Sequence, residues 1–260
     1  MNRITAIAAT VALAAGSLAL TAPTQAAPAK ARTYKVTAKA NMDVAIAKED
    51  VIKVRGRVKP KAAGQKVFLE QRVGNKKKWV RTGNAKVKGN GTYVLKDKPT
   101  TPGAREYRVL KPGKGGIKKG YSKSVQVQVY RWEKLINRPS GPSVNLEPAG
   151  VLIGAEYYGQ SLATTVSGTP SSIEYTLGRK CTDLRATYAL TDSSATGSSG
   201  AATVTADGAV LAVHSLAVGT VVADEVLDVS DVFRLKFDLS TTATPAAVAA
   251  VATPEVLCTR

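Results

Sequence analysis

The chain has 260 residues, with 37 Lys+Arg against 19 Asp+Glu, a formal net charge of +18, one His and two Cys. So few imidazoles and thiols exclude a structural zinc held by four such ligands. Hydrophobic residues at 44% with 22% charged residues exclude bulk disorder, and the length allows one or two buried cores.

The first segment reads as an export leader. Arg3 gives a positive start, Ile4 to Leu20 is uncharged and apolar or small, and Thr24-Gln25-Ala26 is a small-x-small ending. That three-part pattern predicts a secretory signal peptide over 1–26, cleaved after Ala26. A membrane span needs ~20 apolar residues, and Gly16-Ser17 interrupts this run. The mature chain is therefore expected to be secreted, extracellular or held at a cell surface, with no membrane span.

Charge divides the mature chain in two. Residues 27–134 carry 29 Lys+Arg and 7 Asp+Glu, a net charge of +22, whereas residues 135–260 carry 7 and 12, a net charge of −5. Such asymmetry predicts two units with separate surfaces: a basic module over 27–134, a linker over 135–148 and a second module over 149–260. Asn137 to Ser143 (NRPSGPS) supplies the linker chemistry.

The basic half reads as all-β. Ile52, Val54 and Val58 alternate with Lys53, Arg55, Arg57 and Lys59, the period of a strand with one apolar face. Gly56 lies within that run, where a glycine marks a bulge. Gly74-Asn75 and Asn90-Gly91 have the residues of turns with φ > 0. Val125, Val127 and Val129 alternate with Gln126 and Gln128 in a closing strand. Short strands between Gly, Pro and Asn turns predict a β-sandwich. The motifs Val54-Gly56-Val58-Pro60, Gly64-Gln65-x-Val67-x-Leu69 and Gly91-Thr92-Tyr93 resemble bacterial immunoglobulin-like modules, over about residues 33–131.

The basic residues have two readings, a solvated face or a contact for an anionic polymer. Lys76, Lys77 and Lys78, and then Lys118 and Lys119, fall in loop-like segments and are the candidate anionic-polymer residues. Aromatic residues are not interleaved with them along the chain, and no nucleic-acid-binding motif is present. An exported protein is expected to meet an anionic envelope polymer or acidic glycan rather than nucleic acid.

The second half also alternates. Leu184, Ala186, Tyr188 and Leu190 form one apolar series, and Phe233, Leu235, Phe237 and Leu239 another, with the turn pair Asp207-Gly208 between them. In order come Gly154-Ala155-Glu156-Tyr157-Tyr158-Gly159, Ser172-Ile173-Glu174-Tyr175-x-Leu177, Ala189-Leu190-Thr191-Asp192, Val204-x-Ala206-Asp207-Gly208 and Val229-Ser230-x-Val232-x-Arg234-Leu235. This series resembles the NPCBM family of carbohydrate-binding modules, over about residues 145–260. The resemblance implies a galactose-binding-like β-sandwich that attaches to sugar chains. Both tryptophans, Trp79 and Trp132, lie outside this half, which leaves Tyr157 and Tyr158 to stack against a sugar. Tyr157, Tyr158, Asp192 and His214 are the candidate carbohydrate contacts.

Cys181 and Cys258 are an even pair in an exported chain and predict one disulfide. Catalytic chemistry is sparse. His214 has no nucleophile pattern beside it, and most acids sit in turn-like positions next to Gly or Ser. No cofactor is expected, although Asp192 and Asp207 are candidates to help hold a structural calcium ion. The expected protein is all-β, with two β-sandwiches, and is a non-enzymatic binder of carbohydrate or cell envelope. The alternatives are a structural or adhesive spacer with a basic face, or an accessory component of a glycoside hydrolase.

Overall fold

The computed structural model describes residues 32–259. The expected leader over 1–26 lies outside the described residues. The chain is all-β: among the described residues the only helical segment is one 3₁₀ turn, Leu135–Asn137.

The first half contributes β1 (Lys35–Val36), β2 (Lys39–Ala40), β3 (Val44–Ile46), β4 (Ile52–Lys59), β5 (Lys66–Val73), β6 (Val80–Lys86), β7 (Thr92–Asp97), β8 (Gly103–Lys111), β9 (Gly120–Tyr121) and β10 (Val125–Lys134). β4 pairs with β1 at Val58 and Lys59, with β2 at Val54 and Arg55, and with β7 from Ile52 to Arg57. The facing sheet runs β10-β8-β5-β6, with β3 parallel to β10 and β9 beside the end of β8. Alternation decides what enters the core. Ile52, Val54 and Val58 from one sheet meet Val67, Leu69, Val109, Val127 and Val129 from the other. Each such side chain contributes ~1.5–3 kcal/mol by leaving water.

Gly56 is not at a bulge. β4 pairs with β7 in unbroken register through Gly56↔Tyr93. A Cβ there would lie 1.7 Å from the Thr37 carbonyl oxygen, so the glycine permits the chain between β1 and β2 to cross close over β4. The phenol of Tyr93 donates to that same carbonyl.

The second half contributes β11 (Ser140–Val144), β12 (Leu146–Ile153), β13 (Glu156–Thr164), β14 (Ser171–Thr176), β15 (Cys181–Leu190), β16 (Ser199–Ala206), β17 (Ala209–Ala217), β18 (Val221–Asp228), β19 (Arg234–Thr241) and β20 (Ala249–Cys258). One sheet runs β11-β14-β19-β16-β17. The other has β20 between β13 and β15, with β12 and β18 outside them. Tyr188, Leu184 and Val251 from one sheet pack against Phe237, Val204 and Tyr175 from the other in a second core. Asp207 and Gly208, both at positive φ, form the two-residue turn between β16 and β17. Phe233 departs from its apolar series: it precedes β19, is 40% exposed, and carries the Arg179 guanidinium over its ring at 5.6 Å.

Residues 135–148, expected as a linker, are built into the second half. Leu135 is fully buried in the second core. β11 pairs with β14 at the edge of its sheet, and Pro142 is compatible with an edge strand because it has no ladder N–H to give. The two halves also share a sheet. Arg131 to Lys134, the end of β10, pair with Glu255 to Cys258, so the last strand lies between β10 and β15. The expected disulfide is present: Cys181 and Cys258 are register partners on β15 and β20 and are bonded. Among the described residues no helix is long and apolar enough to cross a membrane.

Candidate functional site

The outer face of the β8-β5-β6 sheet gathers residues that are far apart in sequence. Strand alternation sends Val67, Leu69, Tyr107 and Val109 inward, so Phe68, Glu70, Arg72, Glu106 and Arg108 point out. Register places Glu70 opposite Arg108 and Arg72 opposite Glu106. Arg108 Nε donates to Glu70 Oε2 at 2.8 Å, and Arg72 Nε donates to Glu106 Oε2 at 3.0 Å. The Arg81 Nε lies 3.7 Å from the same Glu70 carboxylate.

Aromatic rings interleave with these cations. The Arg108 guanidinium lies 4.2 Å from the Trp79 ring centre and 4.4 Å from that of Tyr121. Arg72 stacks on Trp79 at 4.9 Å, Lys119 Nζ lies 5.8 Å from the centre of Tyr121, and Arg81 covers Phe68 at 4.4 Å. Cations over ring faces are attracted by the ring quadrupole, by ~0.5–1 kcal/mol each at exposed sites. The side chains therefore hold one another in fixed orientations.

Both basic loops read from the sequence reach this face. Lys76, Lys77 and Lys78 are exposed and lead directly into Trp79, while Lys118 and Lys119 are exposed and lead into Gly120 and Tyr121. Because Tyr121 pairs beside one edge of β8 and β5 lies along the other, the loops flank Arg108 from opposite sides. A groove of about 630 Å³ adjoins Phe68 and is lined by Lys66, Lys111 and Lys114 as well. Lys111 is buried, donates to the Pro112 carbonyl at 2.6 Å and lies over the Tyr34 ring. Burial, then the nearby Lys114, holds its ammonium below the usual lysine range.

The sequence missed Arg72, Trp79, Arg108 and Tyr121 as a group. The available signal was the outward-facing register of two strands, which cannot be paired without knowing the sheet order.

The four candidate carbohydrate contacts each have partners of their own. β12 and β13 form a hairpin in which Val151 and Ile153 pack with Ala189, Ala250 and Ala252, apart from the main core. Asp192 fastens its tip: Oδ1 accepts the Gly154 N–H at 2.7 Å and Oδ2 accepts the Ala155 N–H at 2.8 Å. Tyr157 lies on the exposed side of this hairpin at 69% exposure. Its ring covers Gly150, where a Cβ would stand 2.3 Å from the phenol oxygen. Tyr158 is half-buried and donates to Glu156 Oε2 at 3.1 Å. Burial, then that bond and the Glu156 charge, raises its phenol.

His214 is held by Tyr188 and Glu225. It faces inward from β17, with its ring 4.7 Å from that of Tyr188 and its Nε2 2.9 Å from Glu225 Oε2. It thus joins β17 to β18 where the two sheets meet without backbone pairing.

Among the described residues, Asp50, Asp192, Asp207 and Asp228 accept from backbone N–H groups. Asp207 accepts from the N–H groups of Phe233 and Arg234 at 2.9 and 2.8 Å, and those bonds hold its carboxyl below the usual range. Asp228 is lowered by the Ser230 hydroxyl and N–H. Asp192 and Asp207 bind separate turns rather than converging. Among the described residues no three His, Cys, Asp or Glu side chains gather to hold a metal ion. Compared with protein-family models and with curated proteins, the chain matches none of them.

Proposed function

We propose that this is an exported, non-enzymatic binding protein that attaches to the polysaccharide of a cell envelope or matrix, with its basic half as the principal contact. The observation that supports this reading most strongly is the approach of two exposed lysine segments to one sheet face, where Arg72, Arg108, Trp79 and Tyr121 interlock. Fixed cations facing water attract a polyanion at long range, and the rings limit the side-chain entropy lost on contact. In the second half, the exposed Tyr157 ring offers a flat apolar surface against which sugar C–H groups can pack. A hydrolytic role has less support, because Asp192 and Asp207 are occupied by backbone donors and His214 by Glu225.

The test is retention of the purified protein on immobilised polygalacturonate and on neutral dextran. Retention on the first, with elution by salt, is expected. Passage through every polysaccharide column would remove the reading. A spacer role is the second reading, favoured by the sheet continuous from β10 into β20, which fixes one half against the other. It would prevail if the folded protein passed through every polysaccharide column.

A further inference from the structure

We infer that the Arg108 stack is a site for a carboxylate-bearing polysaccharide, and that stacked guanidinium groups, rather than the surrounding lysines, set its selectivity. This rests on the polysaccharide reading above and narrows it to one surface and one ligand chemistry.

The ring faces decide against a nucleic acid. A base-binding platform needs aromatic faces open to stack on bases. Here the faces of Trp79, Tyr121 and Phe68 carry the cations of Arg72, Arg108, Lys119 and Arg81 at 4.2 to 5.8 Å. What the surface presents is a row of oriented cationic edges.

Those edges suit carboxylates. A guanidinium is a planar fork that matches a carboxylate with two parallel N–H donors, which an ammonium cannot do. Arg108 uses Nε for Glu70, and among the described residues its terminal nitrogens have no hydrogen-bond partner. Arg72, Arg81, Arg108 and Lys119 outnumber Glu70 and Glu106, so the face keeps a positive excess after its internal pairs form. Lys76 to Lys78 and Lys118 to Lys119 continue that excess to both sides. A chain of uronate residues can therefore cross the strands from the Trp79 flank to the Tyr121 flank with a cation available throughout. The groove lined by Lys66, Phe68 and Lys114 extends the path past Arg81.

The test is a titration of the full protein with polygalacturonate at low salt, following Trp79 fluorescence in a Trp132→Phe background. Dextran and single-stranded DNA are titrated in parallel. A saturable change with polygalacturonate, weaker with DNA and absent with dextran, is expected. Arg108→Lys preserves charge but loses the planar fork and its stacking, and should weaken binding about tenfold. Tyr121→Leu, which removes one ring, should weaken it in the same direction. Circular dichroism and the thermal midpoint show that each variant is folded. Unchanged affinity in both folded variants would overturn the site while leaving salt-dependent retention, and hence the broader reading, intact. Preference for DNA would overturn the ligand class. Loss of retention on every polysaccharide column would instead remove the reading beneath it.

Discussion

Trp132 and Leu257 are register partners across the strand pair that joins the basic half to the second half. Trp132 lies on a strand that begins in the first core, and Leu257 lies near the end of the last strand. The Arg185 guanidinium covers the Trp132 ring at 4.4 Å and reaches Glu255 at 2.6 Å, so side chains reinforce the backbone ladder. The join is a shared sheet rather than a tether.

Backbone amides in this join should therefore resist hydrogen exchange. Those of residues 131–134 and 255–258 that pair across it are expected to exchange far more slowly than an unstructured peptide. Trp132→Ala removes a stacked cation worth ~0.5–1 kcal/mol and should speed local exchange up to about fivefold. Peptide-level exchange measured by mass spectrometry checks this. Immediate exchange in the native protein would mean that the halves are flexibly linked.

Asp192 is expected to act on the β12–β13 hairpin through both carboxylate oxygens. Asp192→Ala should cost about 1 kcal/mol, since water replaces part of what the exposed N–H groups lose. Asp192→Asn retains one acceptor and should fall between the two. Urea denaturation with exchange at Gly154 and Ala155 checks both. Equal stability of all three proteins would show that the tip holds itself.

The pH dependence follows from Asp207. Its carboxyl is held below the usual range in the folded protein by backbone N–H donors. A depressed folded value gives a contribution that is full above the unfolded value of about 3.9 and is lost as pH falls through the folded value. The stability gap between the native protein and Asp207→Asn should stay constant from about pH 5 to 8 and close as pH falls below about 4. Asn also tolerates the positive φ at this turn, so the comparison keeps the backbone conformation while removing the charge and one of the two acceptors. Urea denaturation over a pH series measures it.

The disulfide should matter to stability more than to binding. Cys181 and Cys258 are 77 residues apart, and closing such a loop is worth about 4 kcal/mol in the chain-entropy model. The double substitution to Ala should lower the denaturation midpoint by a corresponding amount. Because the stack around Arg108 lies in the other half, polygalacturonate binding by the folded fraction should stay unchanged. Binding measured below the new midpoint checks this.

Strand content was legible because one-sided burial imposes period two. The alternation of Ile52, Val54 and Val58 predicts a core face, and all three are fully buried, as are Leu184 and Tyr188. The Asp207-Gly208 turn was readable because few residue pairs accept two positive φ values. The segment from Asn137 to Ser143 misled because Pro and Gly mark turns in most settings, yet an edge strand tolerates both. Gly56 misled for a related reason: a glycine in a strand marks either a bulge or a close crossing, and only the partner chain distinguishes them. The Arg108 stack was hidden because it depends on sheet order. Trp79 and Tyr121 are on opposite sides of β8 in space and on opposite sides of Arg108 in sequence, with no periodicity linking them. Asp192 and His214 stand out in the sequence as polar residues, but their partners, the turn at Gly154-Ala155 and Glu225 on β18, come from distant segments.

Whether the basic face holds the polymer is tested most directly by the affinity of the native protein for polygalacturonate across a salt series. Log affinity is expected to fall steeply and linearly with log salt, because contact between the cations and the polyanion releases condensed counterions. Replacing Lys76, Lys77 and Lys78 together by Gln should make the slope shallower. An affinity indifferent to salt, or a slope unmoved by the triple substitution, would contradict the claim that this basic face holds the polymer.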